Sequence, residues 1–263
     1  MRRLLSPQNP LVKELSRLKD RGSAQGFLAE GPHLAQEALA AGLRPLGAFF
    51  TEAFLQRPEA EGLLRALRQR AEALYLCSQR VMRRLSEAKT PQGLVLLCAL
   101  RGTALGGLRL ARPPLVVVAE AVAEPGNMGG LIRTAYALGA DAVLSLKGSA
   151  NPFLPKAVRA SAGALFHLPV LTGLGPEEFF RWARAQGLLV LATAARGGRA
   201  INELDLTGPL ALAFGSEAHG LSASFTERCD ALVRVPIRGE SLNVVAASAV
   251  CLWEVQRQRG ARG

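Results

Sequence analysis

Two α/β domains in tandem, the second built on a parallel sheet with helices on both faces, are what this chain of 263 residues predicts. Three observations carry the prediction. Short aliphatic runs such as Leu115–Ala119 and Leu210–Phe214 alternate with helical patterns, which is how a sheet buried on both faces is written in sequence. The stretch from Arg101 to Pro114 holds three glycines and two prolines, a composition that punctuates domains. Charge divides at the same place. Residues 1–112 carry 18 Lys/Arg against 9 Asp/Glu, and residues 113–263 carry 14 against 12, so net charges of +9 and +2.

In the first part, Leu11, Leu15 and Leu18 recur at helical spacing with Lys13, Arg17 and Lys19 between them. A second helix is expected from His33 to Ala41, closed by Gly42. Leu46 to Thr51 reads as a strand, and Pro58 to Ala73 as an amphipathic helix that carries Arg65, Arg68 and Arg70. Strands at Leu74–Cys77 and Gly93–Ala99 enclose a basic helix at Gln79–Leu85. These elements fit a small α/β domain over 1–100, with 101–113 as linker.

Beyond the linker the strand–helix alternation restarts over 114–263. Strands are expected at Leu115–Ala119, Ala142–Leu146, Leu188–Ala192, Leu210–Phe214 and Leu232–Pro236. Helices are expected at Gly129–Leu138, Lys156–Ala162 and Leu242–Gln256. No repeat of 20 to 50 residues is visible.

Composition excludes several classes. Hydrophobic residues make up 49 % of the chain, too many for a disordered polyelectrolyte. No apolar run reaches the roughly 18 residues of a membrane helix, and Met1–Leu5 meets Ser6, Pro7 and Gln8 without an apolar core. A cytoplasmic protein with no membrane segment is expected. Cys77, Cys98, Cys229 and Cys251 are widely spaced, as are His33, His167 and His219; neither a disulfide framework nor a structural metal is expected. The formal net charge of +11, concentrated in the first domain, points to a polyanionic partner.

Three glycine-bearing segments each follow a predicted strand. The first runs Glu124-Pro125-Gly126-Asn127-Met128-Gly129-Gly130-Leu131-Ile132-Arg133-Thr134-Ala135. It is expected to be a turn opening a helix, with Arg133 in the first helical turn and free N–H groups for a polar ligand. It lacks the G-x-G-x-x-G of a dinucleotide site. The second runs Phe214-Gly215-Ser216-Glu217-Ala218-His219-Gly220-Leu221-Ser222 and brings a carboxylate, Glu217, to the end of a buried strand. Ser216 and His219 suggest a nucleophile and base, but Gly215-Ser216 does not fit the G-x-S-x-G elbow of a hydrolase. The third runs Val235-Pro236-Ile237-Arg238-Gly239-Glu240-Ser241-Leu242-Asn243 into an Ala-rich helix, with Ser241 where an N-cap belongs and Asn243 just inside. Open α/β sheets bind ligands beyond the carboxyl ends of their strands. The three segments therefore predict one pocket, with Asn127, Arg133, Glu217, Ser241 and Asn243 around it.

These segments resemble the three motifs of the SpoU-type RNA ribose methyltransferases of the SPOUT superfamily. The family pattern is roughly Asp-Pro-Gly-Asn-x-Gly-x-x-x-Arg-Thr-Ala, then Gly-x-Glu-x-x-Gly, then Ile-Pro-Met followed by Ser-Leu-Asn-Val. They stand here, in order, as Glu124–Ala135, Gly215–Gly220 and Val235–Val244. Phe27-Leu28-Ala29-Glu30-Gly31 and Pro91-Gln92-Gly93 further resemble the family's RNA-binding extension, a small α/β domain similar to ribosomal-protein folds. The resemblance implies a parallel sheet with a deep trefoil knot, a rare exception to unknotted topology. It implies S-adenosylmethionine as cofactor, held by backbone at Gly215, Val235, Ile237 and Leu242, with Thr193 and Ala194 on the preceding loop and Asn243 ordering the pocket. It implies a homodimer that methylates a ribose 2′-hydroxyl of RNA without a metal, ribosomal RNA being favoured over transfer RNA. The roles implied are Arg133 on phosphate or hydroxyl, Glu217 and Asn127 as the fixers of the loops, and Ser241 with Asn243 at the cofactor. Four positions depart from the pattern: Glu124 for Asp, Ala218 for Gly, Ile237 for Met and Val245 for Ser. An RNA-binding dimer that keeps the knot only as scaffold is the non-enzymatic alternative.

Overall fold

The computed structural model describes residues 1–22, 26–100, 102 and 104–260. Of the linker expected at 101–113, positions 101 and 103 lie outside the described residues, as do 261–263 of the domain expected at 114–263. The chain forms two compact units, Met1–Gly102 with Phe153–Phe166, and Thr103–Pro152 with His167–Gly263.

The first unit runs β1 (Arg2–Leu4), α1 (Pro10–Arg21), β2 (Gly26–Glu30), α2 (Pro32–Ala40), β3 (Gly47–Thr51), α3 (Glu52–Leu55), α4 (Ala60–Arg70), β4 (Leu74–Cys77), α5 (Gln79–Leu85) and β5 (Leu94–Ala99). Its five strands lie in the order β1-β4-β3-β5-β2. β1, β4 and β3 pair in parallel, whereas β5 is antiparallel to both β3 and β2. Asn9 caps α1 by accepting the Leu11 N–H at 3.0 Å, with Pro10 opening the helix. Ser78 caps α5 through the Val81 N–H. Val12 and Leu15 of α1 and Val81, Met82 and Leu85 of α5 share one core with Leu28, Phe49 and Val95 of the sheet. Residues at alternate strand positions point to the opposite face. There Phe27 meets the rings of Phe153 and Phe166 at 5.4 and 6.0 Å. α2 packs on β2 and β5 and against α4. On α4, Arg65 pairs with Glu61 at 3.1 Å, and Arg70 donates to the Leu39 carbonyl at 2.7 Å.

The second unit begins with β6 (Leu115–Ala119), α6 (Pro125–Ala137) and β7 (Ala142–Leu146). After α7 (Pro155–Ala160) and α8 (Ala164–His167) it continues as β8 (Val170–Leu174), α9 (Pro176–Ala185), β9 (Leu189–Ala194), β10 (Arg199–Ala200), β11 (Leu210–Phe214), α10 (Ala223–Thr226), β12 (Ala231–Arg234) and α11 (Val244–Gly260). All seven strands are parallel, in the order β10-β12-β9-β11-β6-β7-β8. β11 follows β9 in the chain yet inserts between β9 and β6, and β12 then returns to the far side of β9. The carboxyl ends of β6, β9, β11 and β12 thus come together.

Burial explains the composition. β6, β7 and β11 are buried along their whole length, which requires aliphatic side chains on both faces. β8 and α9 are among the elements the pattern does not predict. β8 lies at the sheet edge with Thr172 and Gly173 exposed, so it lacks an unbroken apolar run. α9 carries Pro176 at its start, Glu177 and Glu178 in the first turn, and Phe179, Phe180, Trp182 and Ala183 on its buried face. Arg259 anchors the end of α11 by donating to the carbonyls of Pro113 and Pro114 at 3.0 Å and of Gly208 at 2.8 Å. Among the described residues, no helix is long and apolar enough to cross a membrane.

Candidate active site

The first glycine segment is helix, not loop. α6 starts at Pro125, four residues before the expected start at Gly129, because Glu124 caps it by accepting the Gly126 N–H at 3.3 Å. Asn127 therefore projects from the first turn, and Arg133 lies in the third turn rather than the first. The third segment also shifts. α11 starts at Val244, and its cap is Asn243 rather than Ser241: the Asn243 Oδ1 accepts the Val245 N–H at 2.9 Å. Asn243 is consequently exposed at the helix entrance and not buried within it.

The second segment closes on itself. Ser216 and Gly220 exchange two backbone hydrogen bonds at 2.9 Å, and Gly220 takes φ +68°, which glycine adopts without strain. A Cβ at Gly215 would overlap the backbone of Gly220 and Leu221, so only glycine lets this loop fold back. Glu120, at the end of β6, fastens it by accepting the Ser222 N–H at 2.8 Å and the Ser222 hydroxyl at 2.6 Å. The Ser216 Oγ accepts the backbone N–H of His219 at 3.1 Å. No hydrogen bond joins the Ser216 and His219 side chains among the described residues, so the pair lacks the geometry of a nucleophile and its base.

The three segments converge. Asn127 Nδ2 donates to Glu217 Oε1 at 2.5 Å, and Asn243 Nδ2 donates to Asn127 Oδ1 at 3.2 Å. One asparagine thus joins groups 90 and 116 residues away in the chain. Beside this relay lies a cavity of about 440 Å³. Of the expected cofactor contacts, Thr193, Ala194, Gly215, Val235, Ile237 and Leu242 line it, as do Glu217 and Ser241. Asn127 and Asn243 adjoin it through the relay. Arg133 is exposed on α6 and is not part of the lining. The Thr193 hydroxyl donates to the Ala213 carbonyl at 2.8 Å, so its side chain ties β9 to β11.

Several lining groups have no place in the three segments. Leu232, Ala247 and Cys251 supply apolar wall, and Arg196 supplies a polar group. Burial pushes the Cys251 thiol up to about 12, which keeps it protonated and unreactive at neutral pH. The sequence signal beside Arg196 is the glycine pair Gly197-Gly198, and both glycines take positive φ after β9. A Cβ at Gly198 would strike the Leu232 carbonyl, so the turn passes tightly over β12.

The cavity suits S-adenosylmethionine on three counts. Its volume lies within the roughly 300–1,000 Å³ typical of small-molecule pockets. Val235, Ile237 and Leu242 offer apolar surface to an adenine. The carboxylate of Glu217 complements a cationic donor.

Comparison with known proteins agrees with this geometry. The model of the SpoU rRNA methylase family matches residues 114–253, and that of the MRM3-like substrate binding domain matches residues 9–96. The 23S rRNA (guanosine(2553)-2'-O)-methyltransferase RlmP of Bacillus subtilis is 31 % identical over 97 % of this chain and 100 % of its own length. The 23S rRNA (guanosine-2'-O-)-methyltransferase RlmB of Coxiella burnetii is 35 % identical over 79 % of this chain and 88 % of its own. Among solved structures, the SpoU methyltransferase AviRb from Streptomyces viridochromogenes in complex with AdoMet superposes with a TM-score of 0.88 at 27 % identity, covering 97 % of this chain and 99 % of that one. The AdoMet-bound rRNA methyltransferase from Sinorhizobium meliloti gives 0.85 at 29 % identity, with 97 % of each chain covered. With its three motifs joined at one cavity and the family model spanning 140 residues, 114–253, the chain belongs to the SpoU rRNA methylase family.

Proposed function

We propose that this protein transfers a methyl group from S-adenosylmethionine to a ribose 2′-hydroxyl of ribosomal RNA. The observation that carries the reading is the Glu217–Asn127–Asn243 relay, which draws three separate motifs onto one cavity rim. The acceptors named in RlmP and RlmB support ribosomal over transfer RNA. When bound, the cofactor supplies an electrophilic methyl group on a positively charged sulfur. The chain must bring a neutral hydroxyl to it and handle one proton.

The residues divide that work. The backbone from Thr193 to Ala194, at Gly215 and from Val235 to Leu242 binds the cofactor, with Ser241 and Asn243 ordering the pocket. Asn127 holds Glu217 in place by donating to it. Arg133 faces the RNA. A guanidinium grips phosphate through a planar fork of charged N–H donors, so Arg133 positions a phosphate or the reacting hydroxyl and does not act as base. Residues 1–100 bind the RNA substrate, 101–113 link, and 114–263 carry the chemistry. The late insertion of β11 and the return of β12 are the strand order on which we base a deep trefoil knot.

The active form in this reading is a homodimer. Gly130 of α6 lies against Val245 of α11, and Gln256 of α11 donates to the Leu138 carbonyl at 2.8 Å. Beside this contact Tyr136, Val250 and Trp253 are exposed by 46, 41 and 56 %. Val250 and Trp253, with the exposed Ala246 one turn earlier, make an apolar stripe along α11. Such a stripe suits an isologous contact, which would place Arg133 near a second copy. An enzyme of ribosome maturation works where ribosomes are made, which in bacteria, the source of RlmP and RlmB, is the cytoplasm.

The test is methyl transfer from labelled S-adenosylmethionine to unmodified large-subunit ribosomal RNA, with the product mapped by resistance of 2′-O-methylated linkages to alkali. One protected position is expected, and none in transfer RNA. Absence of protection in the ribosomal RNA would end the reading. Arg133→Ala should lower transfer by roughly 100-fold, the cost of misplacing a reactant, while cofactor affinity measured by calorimetry stays within about twofold. Loss of cofactor binding in that variant would remove Arg133 from the RNA side.

A further inference from the structure

Two of the three arginines on α4 are already engaged. Arg65 is paired with Glu61, Arg70 is bound to the Leu39 carbonyl, and the acidic Glu59 and Glu72 flank the helix. The opposite layer of the first unit differs. α1 and α5 pack side by side on the sheet through their apolar faces, which leaves their outer faces to solvent. There Lys13 and Arg17 of α1 stand one turn apart, and Arg80, Arg83 and Arg84 occupy one turn of α5. All five are exposed. None makes an ion pair or side-chain hydrogen bond among the described residues. β1, the edge strand next to β4, adds the exposed and equally unpaired Arg2 and Arg3. Acidic groups on these three elements are only Glu14 and Asp20, and Asp20 is already engaged with Lys19 at 3.6 Å.

Unpaired like charges held on one folded surface repel one another, and a protein that merely needs solubility disperses them among acids, as α4 does. Lys19 shows how the cluster is kept together: it donates to the carbonyls of Arg84 and Ser86 at 3.3 and 3.4 Å, pinning the end of α5 to α1. We propose that the α1–α5 ridge, with β1 at its edge, is the surface on which the first unit docks the phosphate backbone of the substrate RNA, and that α4 is not. The proposal rests on the RNA methyltransferase reading, but it concerns binding, and binding is measured without methyl transfer.

Phosphate contacts appear as a salt dependence, each neutralised phosphate contributing about 0.7–0.9 to the slope of log affinity against log salt. The probe is unmodified large-subunit ribosomal RNA transcribed in vitro, titrated with the full-length protein across a salt series. The Arg80→Gln/Arg83→Gln/Arg84→Gln variant should flatten the slope by about 2 and weaken binding at least tenfold near 0.1 M salt. The Arg65→Gln/Arg68→Gln variant should match the wild type. Unchanged S-adenosylmethionine affinity and melting temperature in both variants show that the fold is intact. A wild-type slope in the α5 variant, or an equal loss in the α4 variant, overturns the proposal. So does binding of the ridge to vesicles containing phosphatidylserine in place of RNA. If the wild type binds the RNA through the ridge yet transfers no methyl group, the enzymatic reading fails and the docking surface stands.

Discussion

At the scale of single residues, Asn127 decides whether the site exists. Its amide faces two partners with opposite needs, donating to the Glu217 carboxylate and accepting from Asn243. A carboxamide offers a donor and an acceptor on two separate atoms of one short side chain. Asn127→Ala removes two hydrogen bonds at an exposed rim, each contributing about 1 kcal/mol net, and should weaken cofactor binding by roughly tenfold. Asn127→Asp keeps the size but sets a second carboxylate against Glu217, where like charges disfavour each other. Calorimetric titration with S-adenosylmethionine is expected to rank affinity wild type, then Ala, then Asp. An Asp variant that binds as well as wild type would show that the Glu217 contact is incidental. The polar residue types of the relay were legible in the sequence. Their mutual contacts were not, because a side chain 116 residues away leaves no local trace.

At the scale of elements, α6 and α11 set the geometry of the site, since the first turn of α6 carries Asn127 and the cap of α11 is Asn243. They approach at Gly130, where a Cβ would come within 2.7 Å of Val245 Cγ2. Val245 is β-branched and stiff at χ1, so the neighbour cannot swing aside. Gly130→Ala gains up to about 1 kcal/mol in helix propensity but overpacks the contact, which typically costs about 1–3 kcal/mol. A net loss of stability is expected in urea unfolding. Val245→Ala in the same chain makes room, so the double variant should be more stable than Gly130→Ala alone. If the two substitutions simply add, the close approach is not what requires glycine. Helix existence was readable here from apolar spacing, but the starts were not. Gly126, Gly129 and Gly130 look like a loop by composition, and it is the Glu124 cap with Pro125 that draws them into helix.

At the scale of the whole molecule, two compact units divide the chain unevenly. Residues 153–166 belong to the first unit although they fall between β7 and β8 of the second, an excursion that a reading by consecutive segments has no means to anticipate. The second unit ends in α11, whose outer stripe of Val250 and Trp253 is more apolar than solvent alone favours. On the homodimer proposed above, Trp253→Glu should shift the protein from dimer to monomer in sedimentation equilibrium, with little change in far-UV circular dichroism. A variant that stays dimeric places the self-contact elsewhere. Charge too reads differently at this scale. The excess of 18 Lys/Arg over 9 Asp/Glu was plain in residues 1–112, while the gathering of Lys13, Arg17, Arg80, Arg83 and Arg84 on the α1–α5 layer emerged only once the helices had faces.

The amino-acid sequence alone determined the class of fold, most strand positions and the residue types of the site. These follow from local rules: a strand buried on both faces must be aliphatic, and a loop that folds back on its own backbone, as at Gly215, must use glycine. The tertiary structure alone decided which of those residues meet. Strand order brings the ends of β6, β9, β11 and β12 together, and no nearest-neighbour preference encodes that order. Contacts such as Asn127 with Glu217 and Asn243, Glu120 with Ser222, or Gly130 with Val245 are set by packing across the sheet, where sequence distance has no bearing on distance in space.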